Sequence, residues 1–402
     1  MSPLPRDPAG RERPRVVQFI NSFHLGGTEG QALLLTRGLR DSFDLQLAAL
    51  NLDGAHLNAA REIGILPEAF PLADSFVSPQ TPRQVWRLAR WLKSRRVDLI
   101  HAHDLYTSIL AVPAARLAQC RVVLSRLDLL HWQSAAQKLA LRAVSRAADH
   151  LIANAEAIAR QIARQERLLS DRVTVIRNGI DLSRFDDRAR RPPESSLPPV
   201  ESGDLIVAHV ANMNHPVKAQ ELLIEIFSWL RARHPRARLW LVGDGPRRER
   251  LQRMARSLGL RREVVFLGRR GDVPAILRRA HIGVLASRAE GLSNAIIEAM
   301  AAGLPMVVTD AGGNAELVAN EERGFVVPVD ARLIFAARLE ALLDSPGLRL
   351  EMGQNARRFV ERDLGLDRLV ESHARLYRRL IERRVPVTSA SEVAPVALED
   401  RG

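Results

Sequence analysis

The sequence predicts an α/β protein with two doubly wound parallel-sheet domains. Three observations predict this fold class. Short apolar, β-branched runs alternate with segments of helical period from residue 16 to about residue 362. The runs are continuous rather than alternating, which is typical of strands buried on both faces. A stretch rich in proline, serine and charge at 186–203 interrupts the alternation, which then starts again.

Each half contains six predicted strands, and nearly every one is followed by a predicted helix, such as the helix from Thr28 and that at 81–96. In the first half the strands are 16–20, 43–50, 97–103, 121–125, 150–153 and 172–176. In the second half they are 205–210, 238–243, 264–268, 282–287, 305–310 and 324–329. The predicted units are a Rossmann-like domain at 15–185, a linker at 186–203, a second Rossmann-like domain at 204–365, a helix at 366–385 with no strand after it, and disordered ends at 1–14 and 386–402. We expect that last helix to pack back across the first domain.

Composition narrows the class of protein. The 402 residues include 59 Lys and Arg against 46 Asp and Glu, a formal net charge of +13, and 46% are hydrophobic, which excludes a mainly disordered chain. The single cysteine, Cys120, excludes a disulfide scaffold and a cysteine-based zinc site. No signal-peptide core or membrane-spanning run is apparent, so a cytoplasmic protein is expected, with peripheral contact at the inner face of the cytoplasmic membrane as a further hypothesis.

The positive charge favours anionic partners such as nucleotides or acidic lipid headgroups. Nucleic acid is not an expected partner, because aromatic residues make up only 4% of the chain and no zinc-finger or RNP-like motif occurs. Much of the arginine lies beside glutamate in predicted helices, where a solvated surface explains it equally well.

A glycine-rich turn follows the first strand. Its sequence is GGTEGQ, with Gly26 and Gly27 first and a possible capping box formed by Thr28 and Gln31. A helix that begins here presents free N–H groups to an anion or a sugar hydroxyl, so Gly26 and Gly27 are candidate donor-binding residues. The turn lacks the G-x-G-x-x-G spacing, and an ordinary strand–helix turn is the alternative interpretation.

The sequence HAHD ends the strand at 97–103. His101 and His103 share one face of that strand, and His103 reaches the carboxyl edge of the sheet. His103 is therefore a candidate catalytic residue, as a general base or as the group that orients a hydroxyl. A hydrogen-bonded structural histidine is the preferred interpretation of His101. A metal site is not expected, since no third ligand is close in sequence.

The most specific motif is EGLSNAIIE at 290–298. Glu290 lies in the loop after a strand, and Glu298 lies about one turn into the helix that Ser293 or Asn294 caps. The N–H groups at the start of that helix can hold a phosphate between the two carboxylates. Because carboxylates accept hydrogen bonds from hydroxyls, the arrangement predicts a ligand with a central phosphate and hydroxyl-bearing rings at both ends. A nucleoside diphosphate sugar has that shape.

Three further positions are candidates for ligand contact, and each has an ordinary structural interpretation as well. Lys218 is one of three lysines in an arginine-rich chain and offers a compact charge for phosphate, although its position also fits a solvent residue before a helix. The glycines of GDGP at 243–246, and Gly312 with Gly313, lie at strand ends, where backbone can approach a ligand.

Together these residues resemble family 4 of the retaining glycosyltransferases, the bacterial group 1 type, whose fold is the two-domain GT-B fold with a cleft between the domains. The resemblance covers nearly all of residues 16–380. The segments that carry it are GGTEG (26–30), HAHD (101–104), VIRNGID (175–181), PVKAQ (216–220), LVGDGP (241–246), FLGRRGDVP (266–274), EGLSNAIIE (290–298), DAGGNAELV (310–318) and GFVVPV (324–329).

The resemblance implies a UDP- or GDP-hexose donor and a polysaccharide or glycolipid acceptor. Glu298 would accept from the ribose hydroxyls, Glu290 would contact the transferred sugar, and Lys218 would bind the diphosphate. The amides of Gly291, Leu292 and Ser293 would surround the sugar and the diphosphate. Residues near Gly268 and Arg269 would line the base pocket. It further implies retention of anomeric configuration and no cofactor or divalent metal, since cationic side chains and helix dipoles neutralise the leaving diphosphate.

The sequence departs from the family pattern in three places. The arginine that commonly precedes the lysine is missing from VANMNHPVKAQ, and the usual glycine after that lysine is Ala219. Where many members carry a histidine after the fifth strand, this chain has Arg126, so His131 or His103 is the candidate substitute. Two alternatives to transfer therefore stay open: an epimerase or phosphorylase on the same fold, and a non-catalytic sugar-nucleotide-binding protein.

Overall fold

The computed structural model describes residues 13–24, 26–72, 78–127, 134–166 and 170–383. In these ranges the chain forms two parallel sheets with helices on both faces, which confirms the predicted fold class. Of the segments predicted to be disordered, only residues 13 and 14 lie within the described residues. The last two positions of the predicted helix at 366–385 also lie outside them. Pro14 already belongs to the fold, because its carbonyl accepts a hydrogen bond from the Asp44 amide at 3.0 Å.

The first sheet has seven described strands in the order β3-β2-β1-β4-β5-β6-β7. The strands are β1 Arg15–Ile20, β2 Asp44–Ala49, β3 Glu68–Ala69, β4 Leu99–Ala102, β5 Arg121–Arg126, β6 His150–Ala153 and β7 Val173–Val175. The helices around them are α1 Gly27–Leu39, α2 His56–Glu62, α3 Gln80–Ser94, α4 Leu105–Ala118, α5 Ala135–Ala147 and α6 Glu156–Glu166. The sequence did not predict β3, a two-residue edge strand too short to show a pattern.

The second sheet has six described strands in the order β10-β9-β8-β11-β12-β13. They are β8 Leu205–Val210, β9 Ala237–Val242, β10 Val264–Gly268, β11 Ile282–Leu285, β12 Met306–Thr309 and β13 Gly324–Val327. Its helices are α8 Gln220–Leu230, α9 Arg248–Ser257, α10 Val273–Leu277, α11 Asn294–Ala301, α12 Asn314–Val318, α13 Arg332–Asp344 and α14 Pro346–Asp363. The described strand-to-strand pairings are parallel, and most strand residues are buried, as continuous apolar runs predict.

The predicted linker is not wholly irregular. Its first five positions, 186–190, belong to α7, Leu182–Arg190, whose N-terminus is capped by Asp181 accepting from the Arg184 amide at 3.0 Å. Phe185 and Ala189 lie four residues apart and bury one face of this helix. The linker prediction at 186–190 was therefore wrong, because the charged residues between them concealed the apolar spacing.

The last described helix, α15, Leu366–Glu382, packs on the first domain. Leu369, Leu376 and Tyr377 share an apolar cluster with Val16 of β1 and Leu99 of β4. Ile180, just before α7, forms a parallel bridge with Gly365 at the start of this helix. The chain thus crosses between the domains at two adjacent places.

The two domains also share one apolar core. Ala155 and Ile158 from the first domain belong to the same buried cluster as Leu292 and Leu317 from the second. The carboxyl ends of the sheets therefore face each other across a packed contact.

Candidate active site

Each sheet contains one place where the direction of winding reverses, called here its switch point. In the first sheet the switch point lies between β1 and β4, and in the second it lies between β8 and β11. In doubly wound folds ligands bind beyond the carboxyl ends of the strands at such points. The loops after these four strands contain Gly26 and Gly27, His103, Lys218 and Glu290. The fold therefore brings these sequence-predicted residues to the two switch points.

An ion pair occupies the switch point of the second sheet. Lys218 Nζ lies 2.5 Å from Glu290 Oε1, and Ser287 Oγ donates to the same oxygen at 2.6 Å. The Glu290 side chain is only 9% exposed, so this pair is shielded from water on most sides. The next residue, Ala219, has φ of +48°, the left-handed conformation that glycine favours. The turn thus holds an alanine in a conformation that glycine adopts more readily.

The loop between Glu290 and α11 lies against a pair of glycines. Gly313 donates its N–H to the Gly291 carbonyl at 2.7 Å. Gly312 has φ of +59°, and a Cβ there would lie 2.0 Å from the Glu290 carbonyl oxygen. These contacts fix the backbone that carries Glu290. Leu292 is buried in the core that joins the domains.

Helix α11 begins at Asn294, with Ser293 at the N-cap position, but the Ser293 side chain makes no capping hydrogen bond. The helix ends at Ala301. Its first N–H groups are therefore available at the carboxyl edge of the sheet, where Gly291, Leu292 and Ser293 precede them. An anion placed there also gains from the helix dipole.

Glu298 is the fifth residue of α11 and is partly buried. Burial raises the pKa of Glu298 from 4.5 to about 7, and the nearby Arg188 opposes that shift. Arg188 comes from α7 and donates to the Gly271 carbonyl in the loop after β10. Sequence reasoning missed Arg188, because it lies in the segment assigned to the linker. The Asp181 cap and the Phe185–Ala189 spacing are the signals that could have found this helix.

Gly268 and Arg269 lie at the end of β10, two strands from β8 along the same edge. Gly268 has φ of +71° and accepts a hydrogen bond from the Gly243 amide at 2.8 Å. Arg248 covers Gly268 on one side and pairs with Asp244 at 3.0 Å. Arg269 is exposed. The two glycine turns after β9 and β10 are thus bonded to each other at this edge of the sheet.

The two histidines at the first switch point are buried, and burial favours their neutral form. The rings of His101 and His103 lie 4.0 Å apart on one face of the sheet, as the alternation predicts. His103 Nε2 bonds Gln18 Oε1 at 2.7 Å, and burial lowers the pKa of His103 to about 3. His101 is wholly buried between Tyr377 and Ser125, with hydrogen bonds of 2.6 and 2.7 Å. A histidine with so low a pKa is poorly matched to proton abstraction near neutral pH.

The predicted capping box at Thr28 and Gln31 was wrong. Gly26 is the N-cap of α1 and no side chain caps the helix. The Gln31 side chain is used instead by the backbone of Gly179, donating to its carbonyl at 2.8 Å and accepting from its amide at 3.0 Å. Two hydrogen bonds to the Gly179 backbone thus take the place of the single local one.

Arg126 does not replace a cleft histidine. It is 3% exposed, donates to Ser145 Oγ at 2.7 Å, and lies 3.7 Å from Glu166. It thus joins α5 and α6 to the end of β5. His131, the other candidate substitute, lies outside the described residues.

Asn294 links the two switch points. Its Nδ2 donates to the Gly27 carbonyl at 3.2 Å, and its Oδ1 accepts from Asn178 at 2.8 Å and from Gln31 at 3.3 Å. The first residue of α11 is thus held by three groups of the first domain. Gly26 and Gly27 therefore lie opposite the helix that follows Glu290.

The described part of the chain contains no group of three or more His, Cys, Asp and Glu side chains arranged to hold a metal ion. Within the same residues, no helix is both long and apolar enough to cross a bilayer.

Comparison with known proteins agrees with this geometry. Residues 25–184 match the model of Glycosyltransferase Family 4, and residues 196–359 match that of Glycosyl transferases group 1. The chain belongs to the family 4 glycosyltransferases, the group 1 type. Between them the two matches cover most of both domains.

Among curated relatives, the EpsD protein of Bacillus subtilis is 33% identical over 174 residues, which are 43% of this chain and 45% of that protein. The glycogen synthase of Mycobacterium tuberculosis is 29% identical over 301 residues, 71% of this chain and 69% of that enzyme. The chain spans about half the length of the first curated relatives it matches.

Among solved structures, Anabaena Alr3699/HepE in complex with UDP superposes with a TM-score of 0.79 at 21% identity. The superposition covers 91% of this chain and 100% of that one. The likeness shows that the fold is GT-B.

Proposed function

We propose that this protein is a retaining glycosyltransferase that moves a hexose from a UDP- or GDP-hexose to a polysaccharide or glycolipid acceptor. The observation that carries the proposal is the set of ionisable groups at the β8–β11 switch point. Lys218 and Glu290 are paired at 2.5 Å in the loops after β8 and β11, and Glu298 lies on α11, one turn beyond its N-terminus. A cation, free N–H groups and two carboxylates match a diphosphate flanked by two hydroxyl-bearing rings.

In this proposal the donor lies along the edge of the second sheet. Lys218 and the amides at the start of α11 stabilise the diphosphate as charge develops on it during departure. Glu298 accepts hydrogen bonds from the ribose hydroxyls, with the base beyond it near Gly268 and Arg269. Glu290 contacts the sugar near the reacting carbon. No metal is required, because the cation and the helix N-terminus supply the positive charge.

The acceptor approaches from the first domain. His103 orients the attacking hydroxyl, while Gly26 and Gly27 bring backbone close to the donor, Gly26 with its own N–H donated to the His24 carbonyl at 2.8 Å. Support for this opposed arrangement comes from Asn294, which bonds the Gly27 carbonyl directly. Reacting groups held on two packed domains lose little entropy on reaching the transition state.

A thermal-shift screen of UDP- and GDP-sugars tests donor binding. A ligand that binds only the folded protein raises its melting temperature, by an amount that grows with concentration above the dissociation constant. We expect one nucleotide series to raise it and the other to leave it unchanged. If no nucleotide sugar shifts the melting temperature at millimolar concentration, the donor assignment is wrong.

Transfer is then measured with EDTA present, in wild type, Glu290→Ala and Glu298→Ala. Both substitutions should abolish donor-dependent product formation, whereas the exposed Glu351→Gln on α14 should retain it. Full activity in the two alanine variants would contradict the site. Donor conversion without an acceptor indicates an epimerase instead, and a requirement for inorganic phosphate indicates a phosphorylase. Binding without turnover indicates a sugar-nucleotide-binding protein.

The proposal includes peripheral contact with an anionic membrane at the cytoplasmic face, through one side of α3. Arg83, Trp86, Arg90 and Lys93 are exposed at helical spacing and form what we call the basic stripe. Trp86 is 58% exposed with the Arg90 guanidinium 4.7 Å from its ring centre, and α3 contains no acidic residue. Basic side chains beside an interfacial aromatic are typical of surfaces that bind acidic headgroups.

Vesicle sedimentation tests this contact. The wild-type protein should bind vesicles containing phosphatidylglycerol in low salt and not pure phosphatidylcholine. Arg90→Glu should reduce that binding several-fold, whereas Arg253→Glu on the exposed face of α9 should not. Equal binding by both variants would show that the stripe is not the contact.

A further inference from the structure

A chain of hydrogen-bonded polar side chains connects His103 to α15. His103 Nε2 bonds Gln18 Oε1 at 2.7 Å, and Gln18 Nε2 donates to the Tyr377 hydroxyl at 3.2 Å. The Tyr377 hydroxyl bonds His101 Nδ1 at 2.6 Å, and His101 Nε2 bonds Ser125 Oγ at 2.7 Å. Gln18, His101 and Tyr377 are wholly buried, so water does not compete with these bonds.

The glutamine amide gives the chain a direction. Its oxygen can only accept and its nitrogen can only donate. His103 must therefore carry its proton on Nε2. The Tyr377 hydroxyl accepts a hydrogen bond from the Gln18 amide, so its own O–H donates a hydrogen bond to His101 Nδ1. Burial raises the pKa of Tyr377, so the phenol keeps that proton. Each of the four links then has one donor and one acceptor.

The surrounding groups keep the cluster neutral. His101 from the same strand and His373 from α15 face His103, and burial lowers the pKa of all three imidazoles. His373 donates Nδ1–H to the Leu369 carbonyl of its own helix at 2.8 Å, outside the chain. Asp104, the next residue after His103, is turned to the start of α4, where it accepts from the Thr107 amide at 3.0 Å.

Only one ring nitrogen of His103 is used by the chain. With Nε2–H committed to Gln18, Nδ1 carries the lone pair, and the residue retains 6% exposure at the carboxyl end of β4. That end is the switch point, where β4 lies next to β1. A neutral imidazole in this tautomer offers a hydrogen-bond acceptor at a fixed angle.

We infer that Gln18 and Tyr377 are positioning residues that hold His103 in its Nε2–H tautomer, so that Nδ1 accepts a hydrogen bond from the acceptor hydroxyl. This inference rests on the proposed function for the identity of that hydroxyl. It gives α15 a part in acceptor orientation, although the helix lies after the donor domain in the sequence. No proton is transferred to the ring; the imidazole orients the nucleophile and the leaving diphosphate takes its proton.

The experiment measures the tautomer directly, apart from activity. In protein labelled with ¹⁵N histidine, long-range proton–nitrogen correlation distinguishes Nε2–H from Nδ1–H, and His103→Asn identifies the His103 signals. We expect wild type to show the Nε2–H form alone. Gln18→Met, which keeps the volume and removes the amide, should give a mixture of tautomers, and Gln18→Glu, which keeps an acceptor, should restore Nε2–H.

Kinetics then test the consequence, using the donor selected by the thermal-shift screen and octyl β-glucoside as the acceptor probe. Gln18→Met should lower kcat about tenfold with donor KM unchanged within twofold, and Tyr377→Phe should have the same effect to a lesser degree. The control, Leu376→Ala, loosens the apolar packing of α15 without touching the chain. At a matched fall in melting temperature it should leave kcat unchanged.

Three results would overturn the inference: an Nδ1–H form in wild type, an unchanged tautomer in Gln18→Met, or an equal loss of kcat in Leu376→Ala. If Gln18→Met does not fold, the wild-type spectrum and Tyr377→Phe decide. Because the spectrum needs no substrate, failure of the proposed function appears separately, as absence of transfer in wild type.

Discussion

At the β8–β11 switch point Lys218 and Glu290 form an ion pair, whereas at the β1–β4 switch point buried, uncharged side chains are joined by hydrogen bonds. Lys218 and Glu290 meet as charges, while His103 is held uncharged by Gln18. The two sheets share one topology and the same placement of loops. In the proposed function this difference matches two tasks, since one loop would stabilise charge on a leaving diphosphate and the other would orient a neutral hydroxyl.

The largest effect should come from removing charge on the ionised side. In Lys218→Met the diphosphate loses its cation and Glu290 loses its partner, so we expect kcat/KM for the donor to fall about 100-fold, consistent with about 1.5–3 kcal/mol for a bond to a charged group. Lys218→Arg should recover part of the loss, and the exposed Lys138→Met should be unaffected. Wild-type kinetics in Lys218→Met would show that the positive charge of Lys218 does not act on the donor.

The next prediction concerns the glycine that supports Glu290. Gly312→Ala places a Cβ against the Glu290 carbonyl, whereas Gly303 has a similar positive φ of +78° with nothing within 4 Å of its Cβ position. Both alanine variants pay for the left-handed backbone, about 1 kcal/mol. Gly312→Ala should lose about 1–3 kcal/mol more from the clash, measured by urea unfolding. Transfer activity should fall in Gly312→Ala alone.

Proton release on donor binding distinguishes Glu298 of the second domain from His103 of the first. With a pKa of about 7, Glu298 is roughly half protonated at pH 7, and ribose hydroxyls that donate to it favour the charged form. UDP-glucose binding at pH 7 should therefore release up to about half a proton, and affinity should rise from pH 6 to pH 8. Calorimetry in two buffers of different ionisation enthalpy measures this release. Glu298→Gln should abolish it, whereas His103→Asn should not, since His103 is neutral throughout.

The same group affects stability in a defined direction. Between about pH 4.5 and pH 7 the folded protein keeps a proton on Glu298 that the unfolded chain has lost. Folding is therefore favoured at the acid end of that interval and its contribution is lost as the pH rises through 7. Glu298→Gln should flatten this part of the stability profile; an unchanged profile would contradict the raised pKa.

The smallest effect tests the contact that keeps the two sides together. Glu316 of α12 accepts from the amides of Glu156 and Ala157 at 3.0 and 2.9 Å, so a second-domain carboxylate caps α6 of the first. Glu316→Gln keeps the shape and removes the charge, which should cost about 0.5–1 kcal/mol. Hydrogen exchange at residues 156 and 157 should accelerate, whereas the exposed Glu321→Gln should leave it unchanged.

Much of the fold could be predicted because its signals are local. Apolar runs such as 205–210 and 282–287 were found as strands within two residues of their ends, and the motif at 290–298 was placed correctly on a loop and a helix. Where the predictions failed, the cause was a distant partner in one case and a concealed local pattern in another. The Gln31 side chain bonds the Gly179 backbone rather than its own helix end. Arg188 contacts the loop after β10 from a helix whose sequence was interpreted as a linker.

The sequence by itself determined that there are two parallel-sheet units and which residues follow their strands, since period and turn chemistry act over a few neighbours. Only the tertiary structure decided which of those residues meet and in what ionisation state. Lys218 and Glu290 are 72 positions apart and Gln18 and Tyr377 are 359 apart. Pairing, burial and tautomer are properties of an environment assembled from distant parts of the chain, so they arise only once the chain has folded.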